Sequence, residues 1–217
     1  MKLLESKVCI ITGAAQGIGK GIAERFAADG AIVYACDLRE GSMDDWAKEC
    51  SERNNTRVIP MYFDVSDAAA VKEHLMAVFK AEKHIDALVN NAGVVFNKKI
   101  GMIVRQETEL MFRINVIAVI EMVQLCSRLM ARTGGGSIVN IASVTAVLGS
   151  PGQSAYSATK GAVDMMVRQL ASEFLDGIFK APVDPVEYGV EDDAVPGQRL
   201  QLVFFRNVVQ GSIDMVQ

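Results

Sequence analysis

The chain has 217 residues, of which 50% are hydrophobic and 22% charged, and its formal net charge is −4. Such fractions are typical of a soluble globular domain, and they exclude intrinsically disordered, collagen-like and fibrous chains. The negative balance, without a long block of like charge, does not favour binding to nucleic acid or to an anionic membrane. This length suits one domain, which we expect to span residues 1–217.

The cysteines and histidines predict core positions rather than a metal site. The four cysteines form no Cys-x-x-Cys pair, and neither His74 nor His84 has a clustered partner. Cys9 and Cys36 lie inside apolar runs, so we expect both in the core. The opening segment, residues 1–7, is too short and too charged for a signal peptide, and no apolar run approaches the ~20 residues of a membrane helix. We therefore expect a cytoplasmic protein that binds no membrane.

Strand and helix signals alternate along most of the chain. Strands are predicted over residues 8–12, 31–36, 58–63, 85–90 and 137–141. Helices are predicted over residues 18–29, 42–53, 66–82, 107–133 and 154–174. This alternation predicts an α/β fold in three layers, a doubly wound, Rossmann-like parallel sheet with helices on both faces.

The last quarter of the chain breaks this pattern. Residues 177–198 hold three of the five prolines and five acidic residues, a composition that predicts an irregular or mobile segment. Residues 201–205 are interpreted as a short strand or helix fragment, and residues 212–216 as a terminal strand.

The first chemical motif is a glycine cluster, Thr12-Gly13-Ala-Ala-Gln-Gly17-Ile-Gly19, between the first predicted strand and helix. Glycines there let the backbone turn sharply and approach a pyrophosphate, whose charge the helix N-terminus stabilises. The spacing is G-x-x-x-G-x-G rather than G-x-G-x-x-G, and a tight strand-to-helix turn requires glycine even without a ligand. The motif thus leaves a nucleotide site and a plain turn as alternatives.

Asp37 follows the second predicted strand, about 20 residues beyond the glycines, where an acid accepts hydrogen bonds from both ribose hydroxyls of a dinucleotide. A carboxylate in that place repels the 2′-phosphate of NADP and favours NAD. Arg39 lies close enough in sequence to offset this charge, and a solvated acid at a strand end is the alternative interpretation.

The second motif consists of Ser143, Tyr156 and Lys160. Tyr156 and Lys160 are spaced i and i+4, so both lie on one face of the last predicted helix. A neighbouring ammonium lowers the pKa of a phenol from about 10, which allows proton exchange with an alcohol or carbonyl oxygen. Ser143, just after the fifth strand, could bond the same oxygen. Alone, this spacing is more typical of a solvated helix face.

Six motifs in this order resemble the short-chain dehydrogenase/reductase family over about residues 2–173. They are Thr12-Gly13-x-x-x-Gly17-x-Gly19, Asp64-Val65, Asn90-Asn91-Ala92-Gly93, Asn115, Ser143 and Tyr156-x-x-x-Lys160. Residues 152–162 are most similar to the 3-oxoacyl-(acyl-carrier-protein) reductase branch. The chain departs from the family after Glu173, where we find no strand followed by Pro-Gly. We therefore expect a C-terminal part that is shortened or rebuilt, without the usual segment over the substrate.

The resemblance implies cofactor-binding residues. Gly13, Gly17, Ile18 and Gly19 would hold the pyrophosphate, and Asp37 would hold the adenosine ribose. Asp64 and Val65 would border the adenine, and Asn91, Ala92 and Gly93 would line the cleft.

The resemblance also implies catalytic roles. Tyr156 would exchange the proton, Lys160 would hold the nicotinamide ribose and tune Tyr156, Ser143 would polarise the carbonyl, and Asn115 would kink its helix and support a proton-relay water. As alternatives, Asn115 bonds only backbone and Asn90 only bridges strands.

The implied function is NAD-dependent hydride transfer between a secondary alcohol and a ketone. A 3-oxoacyl thioester, a sugar, a polyol and a small cyclic ketone are all compatible substrates. The competing hypotheses are a protein that binds NAD without turnover and a structural homologue that binds none. The helices at 107–133 and 154–174 are expected to support a homodimer or homotetramer.

Overall fold

The computed structural model describes residues 2–175 and 199–205. The strands are β1 (Val8–Thr12), β2 (Ile32–Asp37), β3 (Val58–Tyr62), β4 (Ala87–Asn90), β5 (Gly135–Ile141) and β6 (Arg199–Phe205). The helices are α1 (Gly17–Ala28), α2 (Asp44–Asn54), α3 (Ala68–Glu82), α4 (Arg105–Phe112), α5 (Ala118–Ala131) and α6 (Ser154–Leu175). Through β5 the strands begin and end close to the predicted positions.

The strands form one parallel sheet in the order β3-β2-β1-β4-β5-β6, which confirms the predicted doubly wound architecture. Side chains of β1 alternate between two cores, as the period of a strand requires. Val8 and Ile10 join a cluster that includes α3 and α5, whereas Cys9 and Ile11 join a cluster that includes α1 and α2. The sheet is therefore the middle of three layers.

The sixth strand confirms that residues 201–205 form a strand, one of the two interpretations that the sequence allowed for this segment. β6 pairs with β5 along its whole length, with Leu202 opposite Ile138 and Phe205 opposite Ile141. The strand begins at Arg199, two residues before the predicted segment. Pro196-Gly197 precedes this strand instead of following it. The predictions for residues 177–198 and 212–216 lie outside the described residues.

A π-helical turn interrupts the long helix that the sequence predicts over residues 107–133. Arg113–Ile117 form this turn between α4 and α5, and Asn115 lies buried within it. One extra residue per turn widens the helix locally, which agrees with the kink that the resemblance implied at Asn115.

The continuous helix from α4 to α5, Arg105–Ala131, is long and apolar enough to cross a membrane by length and composition. The expectation of no such segment was too strict because it counted only uninterrupted apolar residues. In the structure 44% of the most apolar window is buried, and Met122, Cys126 and Leu129 pack in the core beside the sheet. A core helix of a globular domain satisfies the same criterion.

Candidate active site

Three groups of predicted site residues lie directly after the carboxyl ends of neighbouring parallel strands, where α/β sheets place their ligands. The glycine cluster follows β1, the segment Asn91-Ala92-Gly93 follows β4, and Ser143 follows β5. Since β4 lies between β1 and β5, these three segments meet at one edge of the sheet.

The glycine turn packs too tightly for a larger residue. Gly13 has a φ of +67°, and a Cβ there would lie 2.9 Å from both the Cα of Ala92 and the Nδ2 of Asn91. A Cβ on Gly19 would overlap the carbonyl oxygen of Gly13. The turn therefore presses directly against the segment after β4, so glycine is required there for packing as well as for any ligand.

Asn91 and Thr12 hold the turn in place. The Asn91 Nδ2 donates to the carbonyl oxygens of Thr12 at 3.0 Å and Gly13 at 3.1 Å. The Thr12 Oγ1 accepts from the backbone N–H groups of Asn91 and Ala92, both at 3.0 Å. Our sequence interpretation gave Thr12 no role, although a hydroxyl at the end of a strand that precedes a glycine turn was a usable signal.

A cleft of about 300 Å³ opens beside this turn. Its walls are formed by Gly13, Gln16, Gly17, Ile18, Asp37, Arg39, Asn91, Ala92 and Gly93. Most of the residues predicted to bind the cofactor thus share one cleft. Among the described residues, Gly19, Asp64 and Val65 do not form part of these walls.

The Asp37 carboxylate is fixed at the rim of the cleft. One oxygen accepts from the backbone N–H of Ala15 at 3.1 Å, and the other accepts from that of Arg39 at 3.3 Å. The Arg39 Nε lies 3.8 Å from the same carboxylate, with the Arg39 side chain 58% exposed. A long, exposed contact of this kind contributes little to stability, so the guanidinium can move away at small cost.

Asp64 and Val65 lie next to the cleft rather than in its wall. The Asp64 carboxylate accepts from the backbone N–H of Ser66 at 2.8 Å and so stabilises the turn after β3. Val65 lines a cavity of about 10 Å³ together with Thr12 and Ala92. The structure therefore brings Val65 close to the start of the glycine turn.

Lys160 is the most buried cation of the site, with 6% of its surface exposed. Its Nζ donates to the carbonyl oxygen of Ile141 at 2.7 Å and lies 5.9 Å from the centre of the Tyr156 ring. Burial lowers the pKa of Lys160 to about 8 because the apolar surroundings disfavour the charged form.

The pKa of Tyr156 corrects one expectation. Burial raises the pKa of the Tyr156 phenol above its ordinary value, and hydrogen bonding with the Ser143 side chain lowers it by less. The Lys160 Nζ donates to the Ile141 carbonyl oxygen rather than to the Tyr156 hydroxyl. The net direction is therefore opposite to the one we expected from the i, i+4 spacing.

Asn115 joins the turn after β4 to α6. Its Oδ1 accepts from the Val94 N–H at 2.8 Å, and its Nδ2 donates to the Val94 carbonyl oxygen at 2.9 Å and to the Thr159 Oγ1 at 3.1 Å. A Cβ on Gly93 would lie 3.1 Å from the Asn115 Oδ1 and 3.7 Å from the Lys160 Nζ. Asn115 thus bonds more than backbone, contrary to the alternative interpretation, since its Nδ2 also donates to the Thr159 side chain.

Asn90 bridges two strands. Its Nδ2 donates to the Oδ1 of Asn140 at 2.8 Å, and both side chains are buried. This contact between β4 and β5 confirms the structural interpretation of Asn90.

The described residues contain no group of three His, Cys, Asp or Glu side chains that could hold a metal ion. All four cysteines are free and buried, which confirms the core positions predicted for Cys9 and Cys36. Burial raises the pKa of the Cys9 thiol to about 12, so this residue is unreactive near neutral pH.

We expect Lys160→Met to stabilise the folded protein at pH 7 by roughly 1–3 kcal/mol. The folded-state pKa of about 8 lies below the ordinary 10.5, so below pH 8 folding must bury a charge. The lost hydrogen bond to Ile141 offsets about 1 kcal/mol of this gain. Between about pH 8 and 10 the unfolded chain binds more protons, so wild-type stability rises and the difference between the two proteins shrinks. Urea unfolding of both proteins at pH 7 and pH 10 measures this; an equal difference at both values would contradict it.

A sequence model described as short chain dehydrogenase matches residues 7–178. The chain is 36% identical over 170 residues to the 3-oxoacyl-(acyl-carrier-protein) reductase FabG of Thermotoga maritima, which covers 78% of this chain and 69% of that protein. It is 38% identical over 168 residues to the L-xylulose reductase of Caenorhabditis elegans, which covers 77% and 65% respectively. The chain thus spans about two thirds of the length of these relatives.

Solved structures agree with these relatives. The L-sorbose reductase of Gluconobacter frateurii, in complex with NADPH and L-sorbose, matches with a TM-score of 0.76 at 29% identity, over 81% of this chain and 67% of that one. A short chain dehydrogenase/reductase of Burkholderia phymatum, in complex with NAD, matches with a TM-score of 0.80 at 25% identity, over 95% and 66%.

Proposed function

The chain belongs to the short-chain dehydrogenase family, and we propose that it transfers hydride between a nicotinamide cofactor and a secondary alcohol or ketone. One observation carries the proposal. Gly93 lines the cleft beside the glycine turn, and a Cβ on it would lie 3.7 Å from the Lys160 Nζ. The cleft suited to a dinucleotide therefore reaches the neighbourhood of Lys160, one of the proposed catalytic residues.

The cleft residues fit a dinucleotide. The N-cap residue of α1, Gln16, forms no side-chain hydrogen bond to the first turn, so that turn leaves its amide donors for an anion. A Cβ on Gly17 would meet no described heavy atom within 4 Å, so the backbone at Gly17 lies open to the cleft. Gly13, Gly17, Ile18 and Gly19 would hold the pyrophosphate, and Asn91, Ala92 and Gly93 the nicotinamide half.

The proposed chemistry divides among four side chains. The nicotinamide, when bound, supplies or accepts the hydride. Tyr156, whose raised pKa keeps the phenol protonated near neutral pH, donates a proton to the ketone oxygen, and Ser143 donates a hydrogen bond to the same oxygen. Lys160 holds the nicotinamide ribose, and Asn115 fixes the segment at Val94 beside it. Asp64 and Val65 would border the adenine.

Purified protein, NADH and a panel of carbonyl compounds test this function. The panel contains a 3-oxoacyl thioester, a ketose and a cyclic ketone, because the similar proteins are named as reductases of the first two classes. Loss of NADH absorbance with one panel member supports the proposal. NADH binding without turnover across the panel would instead favour the NAD-binding alternative.

We expect NADH to bind at least about tenfold more tightly than NADPH, because the proposed binding mode brings a 2′-phosphate up to the Asp37 carboxylate at the rim of the cleft. Asp37→Ser should bring the two dissociation constants to within about threefold. Arg39→Ala is the matched control: it removes the neighbouring cation and should widen the preference for NADH. Fluorescence titrations of the three proteins measure this, and tighter NADPH binding to the wild type would contradict it.

We propose a homodimer or homotetramer in a cytoplasmic location. Ile117, Ile120 and Met165 are large apolar side chains on α6 and the long helix, and each is about half exposed or more. Burial of such residues between subunits would remove apolar surface from water. The four free cysteines support a reducing compartment.

A further inference from the structure

Thr159 lies between Tyr156 and Lys160 in the sequence of α6. It is not part of the wall of the cleft and is not exposed to solvent. It is fully buried. Its Oγ1 donates to the backbone carbonyl of Tyr156 at 2.7 Å and accepts from the Asn115 Nδ2 at 3.1 Å. The hydroxyl therefore donates its one proton within α6 and accepts a hydrogen bond from the π-helical turn.

This second hydrogen bond connects α6 to Asn115, and the Asn115 side chain is itself bonded to Val94 in the segment after β4. The other polar contacts of the Asn115 side chain are with the N–H and carbonyl oxygen of Val94, so Asn115 itself is held in one orientation. Thr159 then transmits that orientation to α6. In the same turn of α6, the Lys160 Nζ donates to the Ile141 carbonyl oxygen at the end of β5.

We propose that Thr159 is a positioning residue, whose hydroxyl sets the rotation of α6 against the π-helical turn and so places Tyr156 and Lys160 beside the cleft. The proposal rests on the function proposed above. An isosteric residue without the hydroxyl leaves the Asn115 amide with one donor unbonded, and the helix is then free to roll. Small displacements of reacting groups carry large kinetic effects, because about 1 Å can reduce a rate on the order of 10²-fold.

The kinetic test compares Thr159→Val, which keeps the shape, with Thr159→Ser, which keeps the hydroxyl. We expect Thr159→Val to lower kcat at least about tenfold, with KM and the NADH dissociation constant within about threefold of wild type. Thr159→Ser should restore kcat to within about threefold. Equal impairment of both variants, or wild-type kcat in Thr159→Val, overturns the proposal.

A second readout needs no turnover. The titration of Lys160 is followed by NMR of protein labelled with ¹³C-lysine, with Lys160→Met to assign the signal. Burial holds the pKa of Lys160 near 8, and a rolled helix would admit water and raise it towards 10.5 in Thr159→Val but not in Thr159→Ser. An unchanged Lys160 titration in Thr159→Val overturns the proposal. Thr159→Ala serves as the variant without a hydroxyl if the valine protein does not fold.

These two readouts separate the positioning role from the proposed function. If the wild type reduces no panel compound, the proposed function fails, and the Lys160 titration alone decides the role of Thr159. If the wild type is active and either kcat or the Lys160 titration is unchanged in Thr159→Val, the positioning role fails and the function stands.

Discussion

Tyr156→Phe is expected to lower kcat by about 10³-fold and to leave the NADH dissociation constant within about threefold of wild type. The phenylalanine ring fills the same half-buried space but has no proton to donate. The phenol is proposed to act on the substrate oxygen and not to provide the main contacts of the cofactor. Steady-state kinetics with the best panel substrate, together with an NADH fluorescence titration, measure both quantities.

Tyr34→Phe is the matched control for this substitution. The Tyr34 hydroxyl donates to Glu82 at 2.6 Å, at the C-terminal end of α3 and therefore towards the edge of the sheet opposite the cleft. We expect this variant to lose about 1 kcal/mol of stability and to keep wild-type kcat. Full activity in Tyr156→Phe would contradict the assignment of Tyr156 as the proton donor.

Gly19→Ala is expected to weaken NADH binding on the order of 10²-fold. The new Cβ would overlap the Gly13 carbonyl oxygen, which is backbone and cannot rotate away. The turn must then shift, and the donors that would face the pyrophosphate shift with it. Overpacking of this kind also lowers the free energy of unfolding by about 1–3 kcal/mol. Fluorescence titration and urea unfolding measure the two effects.

Gly21→Ala provides the control within the same helix. A Cβ on Gly21 would meet no described heavy atom within 4 Å. Alanine is the better helix former, so this variant should bind NADH like the wild type and gain about 0.5–1 kcal/mol of stability. If Gly19→Ala binds NADH as tightly as Gly21→Ala, the glycine turn is not the pyrophosphate site.

The central sheet could be predicted from the sequence because its signals are local. Each strand through β5 is a short apolar run followed by a turn and an amphipathic helix, and this alternation leaves few topologies. The glycine turn was equally predictable, because few residues other than glycine adopt the positive φ of Gly13. For residues 201–205 the sequence left strand and helix as alternatives, since the strand β6 depends on pairing with β5 and not on a local pattern.

The sequence predicted which residues belong to the candidate site, but not which atoms those residues contact. Order along the chain identified Ser143, Tyr156 and Lys160, but hydrogen-bond partners such as Thr159 and Ile141 depend on how α6 packs against the sheet. The direction of the Tyr156 pKa also escaped prediction. Sequence spacing shows which charges are near, but burial, which dominates this pKa, is a property of the folded chain.

Transfer of deuterium from [4,4-²H₂]NADH, which carries deuterium on both faces of nicotinamide C4, tests the central claim most directly. Wild-type protein is incubated with each panel carbonyl compound, and the alcohol products are analysed by mass spectrometry and NMR. We predict deuterium on the carbinol carbon of at least one product, with the transfer lost in Tyr156→Phe. Saturable NADH binding without deuterium in any alcohol would contradict the proposed oxidoreductase activity.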